Sequence, residues 1–176
     1  MEIIEALTAQ SIAAELSKRP VRHLVDGTLR TSPTKVDVVN PATGRPAAKS
    51  PRADKALLNE TVHAAHRALP AWQATPIAVR REKLLEASAV LRQHAKELGG
   101  LITLEQGKPI DKAIGEVNRA AFLLDQIVSI PLDTEILRED EAGRVELHYR
   151  AIGVVGAIAP WNVPIGLAVP KIVHAL

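Results

Sequence analysis

The chain has 176 residues, enough for one domain with its own core or for a piece of a larger fold. Its formal net charge is +2, and Lys and Arg alternate with Asp and Glu, so there is no electrostatic footprint for nucleic acid. No cysteine is present, which excludes disulfides, cysteine-based metal sites and a cysteine nucleophile within these residues. The acidic start Met1–Glu5 is unlike a signal peptide, so we expect a cytoplasmic protein.

One uncharged stretch has to be weighed against a membrane span. Residues 151–170 carry no charge and approach the roughly 20 residues that a spanning helix needs. Pro160, Pro164 and Pro170, together with three glycines, argue against a continuous helix there. We therefore expect no membrane partner.

The N-terminal elements are predicted to be a lead followed by an edge layer. Residues 1–20 show weak helical spacing that ends at Pro20, and we treat them as an N-terminal lead. Two β-prone runs follow, Val21–Val25 and Lys35–Val39, and each ends in a turn signal: Asp26-Gly27 after the first and Asn40–Gly44 after the second.

A helical region comes next. The first helix is predicted to begin at Ser50-Pro51 and to stop at Pro70. Its His63 and His66, three residues apart, have no third metal ligand nearby, so no metal site is predicted. A second helical region begins at Thr75-Pro76 and runs towards Gly99-Gly100, which leaves open whether it is one helix or two.

The clearest helical stripe follows a stop signal at Gly107–Pro109. Its apolar residues recur at alternating spacings of four and three, and Pro131 closes the helix. The stripe consists of Ile110, Ile114, Val117, Ala121, Leu124 and Val128. We interpret it as core packing.

The remaining pattern is β-like. Residues 133–150 predict a projecting hairpin of Thr134–Arg138 and the strictly alternating, half-buried Arg144–Arg150, suited to subunit contact. The continuous apolar run Ala151–Ala159 is typical of a strand covered on both faces in a parallel sheet. It ends at Pro160-Trp161-Asn162. Ligands bind beyond the carboxyl ends of such strands, so Asn162 is the first candidate site residue.

Four segments, in order, resemble the aldehyde dehydrogenase superfamily, and the resemblance covers about Val21 to Leu176. They are Asn40–Gly44, Leu104–Pro109, Gly153–Asn162 and Lys171-Ile172. The implied fold class is α/β and aldehyde dehydrogenase-like, with an incomplete Rossmann-type parallel sheet, a helical N-terminal half and a projecting β-hairpin. Residues 21–132 and 151–176 would then belong to the cofactor-binding domain and residues 133–150 to an oligomerisation-type hairpin.

The resemblance also implies a chemistry. A cysteine thiolate would attack an aldehyde, hydride would pass from the thiohemiacetal to NAD or NADP, and a glutamate would act as base in hydrolysing the thioester. Asn162 matches the family asparagine that donates to the oxyanion, and Lys171 matches a lysine near the active site. Ile158, Pro160, Trp161 and Asn162 match the segment on the nicotinamide side of the cofactor.

Much of that machinery would lie beyond Leu176. The cysteine, the glutamate base and the ribose-binding residues have no match here, and Glu105 and Glu116, in helical segments upstream, are not assigned as the base. The hypothesis is an N-terminal fragment of an aldehyde dehydrogenase, inactive alone and prone to aggregate, whose full-length form is a homo-oligomer. The alternative is a non-catalytic truncated remnant that acts through its hairpin. Neither the aldehyde nor the choice between NAD and NADP can be read.

Overall fold

The structure is a computed structural model that describes Ser11 and residues 20–176. The predicted lead over residues 1–20 lies outside this part of the chain, apart from Ser11 and Pro20. Within it, the chain forms three two-stranded antiparallel sheets and a group of helices. No helix in this part combines the length and apolar content that a bilayer span needs.

The first sheet is a short hairpin of β1 (His23–Val25) and β2 (Thr28–Arg30). Its two-residue turn has positive φ at both positions, 51° at Asp26 and 70° at Gly27, as a type I′ hairpin turn requires. Ion pairs attach this hairpin to the helix over residues 55–74: Arg67 to Asp26 at 2.8 Å and Arg30 to Glu60 at 2.7 Å.

The second sheet pairs β3 (Lys35–Asn40) with β4 (Arg45–Pro51). The predicted turn between them is confirmed: Asn40 Oδ1 accepts from Ala42 N at 2.9 Å, and Gly44 has φ of 65°. The sequence predicted one strand in each of these regions, whereas each strand is paired with a partner in its own hairpin.

Five helices are described between residues 55 and 175. They are α1 (Lys55–Ala74), α2 (Ile77–Gln93), α3 (Ala95–Gln106), α4 (Ile110–Val128) and α5 (Pro164–Ala175). The start of α2 after Pro76 and the left-handed end of α3 at Gly107, φ 75°, agree with the sequence signals.

Two predicted helix boundaries are wrong. Helix α1 begins after Asp54, whose side chain accepts from Leu57 N at 2.8 Å, because Ser50-Pro51 is already paired within β4. It also continues through Pro70, which removes a single helical donor, and Thr75 N closes the last turn on Trp72 O. The sequence leaves open whether the long helical region is one helix or two. It is two helices, which divide at His94, and Gly99-Gly100 lies inside α3.

Helix α4 forms the centre of the helical layer. Ala113, Val117, Ala120 and Ala121 have no exposed surface, and their small size lets neighbouring helices approach closely. Two apolar clusters lie along it. One contains Ala95, Ile102, Ala113 and Val117 with Leu98, Ile114 and Ile165, and the other Leu124, Val128 and Val173 with Leu84, Leu91, Ile127 and Val169. The predicted stripe of α4 is therefore core. Burial of one such valine stabilises the folded state by about 1.5–3 kcal/mol.

A polar link also joins α2 to α4. The buried Ser88 hydroxyl donates to Ala121 O at 3.1 Å and accepts from Arg92 Nη1 at 2.6 Å. Arg92 also forms an ion pair with Asp125, and this hydrogen bond holds the pKa of the Asp125 carboxyl below its usual value. The helices are therefore fixed in register by directional contacts as well as by apolar packing.

The third sheet is the predicted hairpin, with β5 (Glu135–Asp140) paired to β6 (Gly143–Leu147) and a bulge near Leu137. Every residue of both strands is exposed, and Val145 and Leu147 are 42% and 39% exposed. The expected half-burial is therefore wrong for the described chain, because no described residue covers either face. Its role in subunit contact stays a prediction.

The segment 151–159 departs from the expected parallel-sheet strand. It has no ladder partner among the described residues, and Ile152 and Ile158 are 92% and 83% exposed. A strand of a parallel sheet is defined by hydrogen-bonded neighbours and by cover on both faces. Residues 20–176 supply neither, so the apolar run is unpaired and ends in the loop that carries Asn162.

Candidate functional site

Asn162 lies in the loop that leads into α5, and it is exposed. Its main-chain carbonyl accepts a hydrogen bond from Lys108 Nζ at 2.9 Å. Its carboxamide has no hydrogen-bond partner among the described residues, so both side-chain N–H groups are available to a ligand. The arrangement fixes the backbone of the residue and leaves its donor free.

Glu116 supports the same loop from α4. Glu116 is only 8% exposed. Its Oε1 accepts hydrogen bonds from Ile165 N at 3.0 Å and from Gly166 N at 3.1 Å. The other oxygen, Oε2, is paired with Lys108 Nζ. These amides belong to the first turn of α5, where backbone donors lack intrahelical acceptors and the helix dipole favours an anion.

Sequence reasoning noted Glu116 only as an available carboxylate. A usable signal was present, since Glu116 lies between Ala113, Val117 and Ala120 on the most buried face of α4. A charged side chain at such a position is rarely tolerated without partners. Its partners, however, come from the loop before α4 and from the start of α5, at separations of 8 and about 50 residues.

Lys171 is placed apart from that arrangement. It is exposed on α5, and Nζ donates to Leu167 O, one turn back on its own helix, at 3.0 Å. It makes no hydrogen bond with Asn162 among the described contacts. Asn162 lies in the loop before α5 and Lys171 lies on that helix, and no hydrogen bond in the described part of the chain joins their side chains.

Of the four predicted cofactor-side residues, Asn162 is described above, and Ile158, Pro160 and Trp161 lie along the extended segment before it and are exposed, with Trp161 at 81%. Pro160 and Trp161 form one wall of a cleft of about 460 Å³. The other lining residues are Val38, Pro41, Glu105, Gln106, Ala159 and Pro164. The wall is apolar, as packing against a planar ring requires.

The polar groups of this cleft come from the end of α3. Burial raises the pKa of the Glu105 carboxyl, and Gln106 Nε2 is buried without a hydrogen-bond partner in the described structure. Sequence reasoning mentioned Glu105 and did not connect it with Trp161. Glu105 and Trp161 line the same cleft because the end of α3 lies beside the loop, and no local pattern in the sequence records that packing.

No group of three or more potential metal ligands occurs in the described part of the chain. His63 and His66 are both exposed on α1. Chemically, the site offers one free amide donor beside an apolar cleft, and the sequence contains no cysteine to act as a nucleophile.

The aldehyde dehydrogenase family model matches residues 28–176. The chain therefore belongs to the aldehyde dehydrogenase family, a family of oxidoreductases. A probable aldehyde dehydrogenase of Pseudomonas sp. is 37% identical over 135 residues, covering 76% of this chain and 28% of the relative. Lactaldehyde dehydrogenase of Escherichia coli is 35% identical over 164 residues, covering 89% of this chain and 34% of the relative.

Solved structures share the fold. Gamma-glutamyl-gamma-aminobutyraldehyde dehydrogenase of Burkholderia cenocepacia superposes with a TM-score of 0.85 at 32% identity, covering 94% of this chain and 35% of its own. An NADP-dependent glyceraldehyde-3-phosphate dehydrogenase of Bacillus halodurans, complexed with NADP, gives 0.83 at 29% identity, covering 89% and 35%. The chain thus spans about a third of the length of the relatives it matches.

Proposed function

We propose that these residues are the N-terminal portion of an NAD(P)-dependent aldehyde dehydrogenase that oxidises an aldehyde to a carboxylic acid. In this reaction a cysteine thiolate would add to the aldehyde carbon, and the resulting thiohemiacetal oxyanion would pass hydride to NAD(P)⁺ and become a thioester. Water then releases the acid with a glutamate as base. The cysteine and that glutamate lie outside this chain, and the 176 residues alone are inactive.

The observation that carries the proposal is the free carboxamide of Asn162. When the thiolate attacks, negative charge develops on the aldehyde oxygen, and a fixed N–H donor lowers the energy of that state. Asn162 can serve in this way because its own carbonyl, and not its amide, is held by Lys108. Donors of this kind contribute about 10²–10³ in rate.

The cofactor proposal rests on the apolar wall of Pro160 and Trp161. NAD(P)⁺ supplies a hydride acceptor when bound, and Ile158, Pro160 and Trp161 would pack against its nicotinamide side. A neighbour that is complexed with NADP supports this use of the cofactor in general terms. Lys171, exposed on α5, is proposed to lie near the active site of the longer protein.

Two measurements test the proposal. Sequencing beyond codon 176 is expected to show that the reading frame continues, and a native stop codon there, with a matching intact mass from the host, would refute the fragment. In the longer protein, Asn162→Ala is expected to lower kcat about 10²–10³-fold for an aldehyde with NAD⁺ or NADP⁺. Asn118→Ala, which changes an exposed asparagine on α4, is the matched control and should leave kcat unchanged. Equal kcat values for the two variants would overturn the oxyanion role.

A second candidate is a non-catalytic remnant that acts by association through the hairpin. The exposed apolar residues of β5 and β6, including Ile136, Leu137 and Val145, favour it. Aldehyde-dependent NADH formation by the purified 176-residue chain would exclude this reading and would also refute the need for the missing cysteine. Dimerisation that is lost on replacing Val145 and Leu147 with serine, together with a native stop codon, would favour it.

A further inference from the structure

We propose that Glu116 and Lys108 are positioning residues that hold the loop of Asn162 so that its carboxamide is aimed at the reacting oxygen while remaining unpaired. The inference deepens the proposed function and rests on it, because it assigns a role in catalysis to residues that touch neither substrate nor cofactor. It rests on one contact to the loop, two contacts to the first turn of α5, and the ion pair that joins Lys108 to Glu116.

Glu116 supplies the N-terminal cap that α5 lacks. Val163 stands at the cap position, and its side chain cannot accept a hydrogen bond. Glu116 Oε1 reaches from α4 and accepts from the two backbone donors of the first turn, Ile165 N and Gly166 N. The start of α5 is thereby fixed by a side chain of a different helix.

Gly166 shows how closely the two helices meet. A Cβ atom there would lie 2.7 Å from Val163 Cγ1 and 3.4 Å from Glu116 Cγ. The first distance, to a side chain at the start of the same helix, is shorter than carbon atoms tolerate, and the second is at ordinary van der Waals contact between α4 and α5. The carboxylate reaches the two amides directly, at 3.0 and 3.1 Å.

Lys108 connects this cap to Asn162. Its side chain is 19% exposed and that of Glu116 is 6% exposed, and the two form an ion pair. A carboxylate buried to this degree needs an opposite charge close by. The same ammonium group donates to Asn162 O at 2.9 Å, so one cation links α4 to the loop.

The backbone on both sides of Lys108 is also restricted. Gly107 before it has φ of 75° and is the C-cap of α3, and Pro109 after it has φ of −52° and is the N-cap of α4. The ammonium group is thus attached to a junction with little freedom of its own. The packing of α3 against α4 therefore fixes where the Lys108 ammonium group holds the carbonyl of Asn162.

The consequence concerns the direction of the donor. An oxyanion donor has to be fixed before the reaction, yet a carboxamide that is fixed by its own hydrogen bonds is no longer free to donate. Here the loop is held at Asn162 O and at the amides of Ile165 and Gly166. These hydrogen bonds restrain main-chain atoms only, so the carboxamide of Asn162 remains free to donate to the oxyanion.

A double-mutant cycle in the catalytically complete protein tests this inference. Lys108→Met is expected to lower kcat by about tenfold to a hundredfold, the scale of loss that follows a misplacement of about 1 Å. In the Asn162→Ala background the same substitution should have little further effect, because the group that Lys108 positions is already absent. Lys108→Arg, which keeps the charge and the donors, should restore part of the rate.

The cycle separates the two proposals. If Asn162→Ala leaves kcat unchanged, the proposed function fails. If Asn162→Ala lowers kcat but Lys108→Met costs the same factor in both backgrounds, Lys108 is only structural and the positioning inference is overturned. Lys83→Met, which breaks the exposed Lys83–Glu86 pair, is the matched control and should not change kcat.

Hydrogen exchange on the catalytically complete protein gives a second readout that needs no activity. Glu116→Gln and Lys108→Met are expected to raise the exchange of the peptide that contains residues 160–168, while residues 111–125 of α4 stay protected. Lys83→Met should change neither peptide. Unchanged exchange over residues 160–168, or an equal rise in both peptides, would overturn the inference.

Discussion

Gly99 offers the sharpest test of how the helices pack. It lies inside α3, and a Cβ atom placed on it would stand 2.6 Å from Ile114 Cγ1, 2.9 Å from Ile114 N and 3.0 Å from Ile114 Cα. A side-chain atom can rotate away, but the two backbone atoms can move only if α4 moves. Gly99→Ala therefore forces the two helices apart, and the core beneath them with it.

The size of the effect follows from two opposing terms. Overpacking of a filled core costs about 1–3 kcal/mol, and the clash with backbone places Gly99→Ala in the upper part of that range. Alanine favours a helix over glycine by about 1 kcal/mol, and this gain offsets part of the overpacking cost. We expect a net loss of about 1–2 kcal/mol in the free energy of unfolding.

Gly115→Ala is the matched control. Gly115 lies in α4, and a Cβ atom there would meet nothing within 4 Å. The propensity gain is then unopposed, and the variant should be more stable by about 0.5–1 kcal/mol. Urea denaturation of dilute protein, followed by far-ultraviolet circular dichroism, measures both. A Gly99→Ala variant as stable as Gly115→Ala would refute the close approach of α3 and α4.

Three further predictions follow from charge and exposure. Burial raises the pKa of Glu105 in the folded state, so the charged carboxylate opposes folding at neutral pH. Glu105→Gln should therefore raise the melting temperature at pH 7, and this gain should shrink as the pH falls through the folded-state pKa. Arg92 lowers the pKa of Asp125, so their ion pair stabilises the folded state above the unfolded pKa of about 3.9, and this stabilisation is lost in acid. Arg92→Met should lower the free energy of unfolding by under about 1 kcal/mol at pH 7 and by less at pH 3, as measured by urea denaturation at both pH values. Apolar side chains are exposed from Ile130 to Ile158, so light scattering should show self-association of the 176-residue chain, and a monodisperse monomer would contradict this.

Local signals in the sequence predicted the helical layer well. The stripe of α4 was placed by its alternating spacing, and the left-handed end of α3 by Gly107 followed by Pro109. The hairpin of β5 and β6 followed from strict alternation. These features depend on interactions within a few residues, which is why a pattern can reveal them.

Signals of the same kind failed where tertiary pairing decided the outcome. Ser50-Pro51 has the form of a helix start, but Pro51 is opposite Lys35 in the second sheet, and the helix begins four residues later at Lys55. The run from Ala151 to Ala159 has the composition of a buried strand, yet no described strand lies beside it. The composition of a segment indicates that it is suited to a buried strand, but it does not show whether a neighbouring strand is present.

The candidate site shows the same division. Asn162 was predicted from its motif, and the structure leaves its carboxamide unpaired among the described residues. The roles of Lys108 and Glu116 were missed, because the contacts that define them join residues 54 and about 50 positions apart. The oxyanion role of Asn162 stays a prediction that the kcat measurements test, and the roles of Lys171 and the cofactor-side residues stay predictions.

The central position of α4 has a consequence for the order of folding. Its contacts with α2 and α3 join segments that are close in sequence, whereas Ile165 and Val173 of α5 complete the two clusters from about 50 residues further on. Near contacts cost less chain entropy and form earlier. During synthesis, α2, α3 and α4 are expected to associate first, which covers Leu124 and Val128 on the side of α2 and leaves the side that Val173 of α5 later covers open to water. Until then the nascent chain presents a hydrophobic seam that a chaperone can bind.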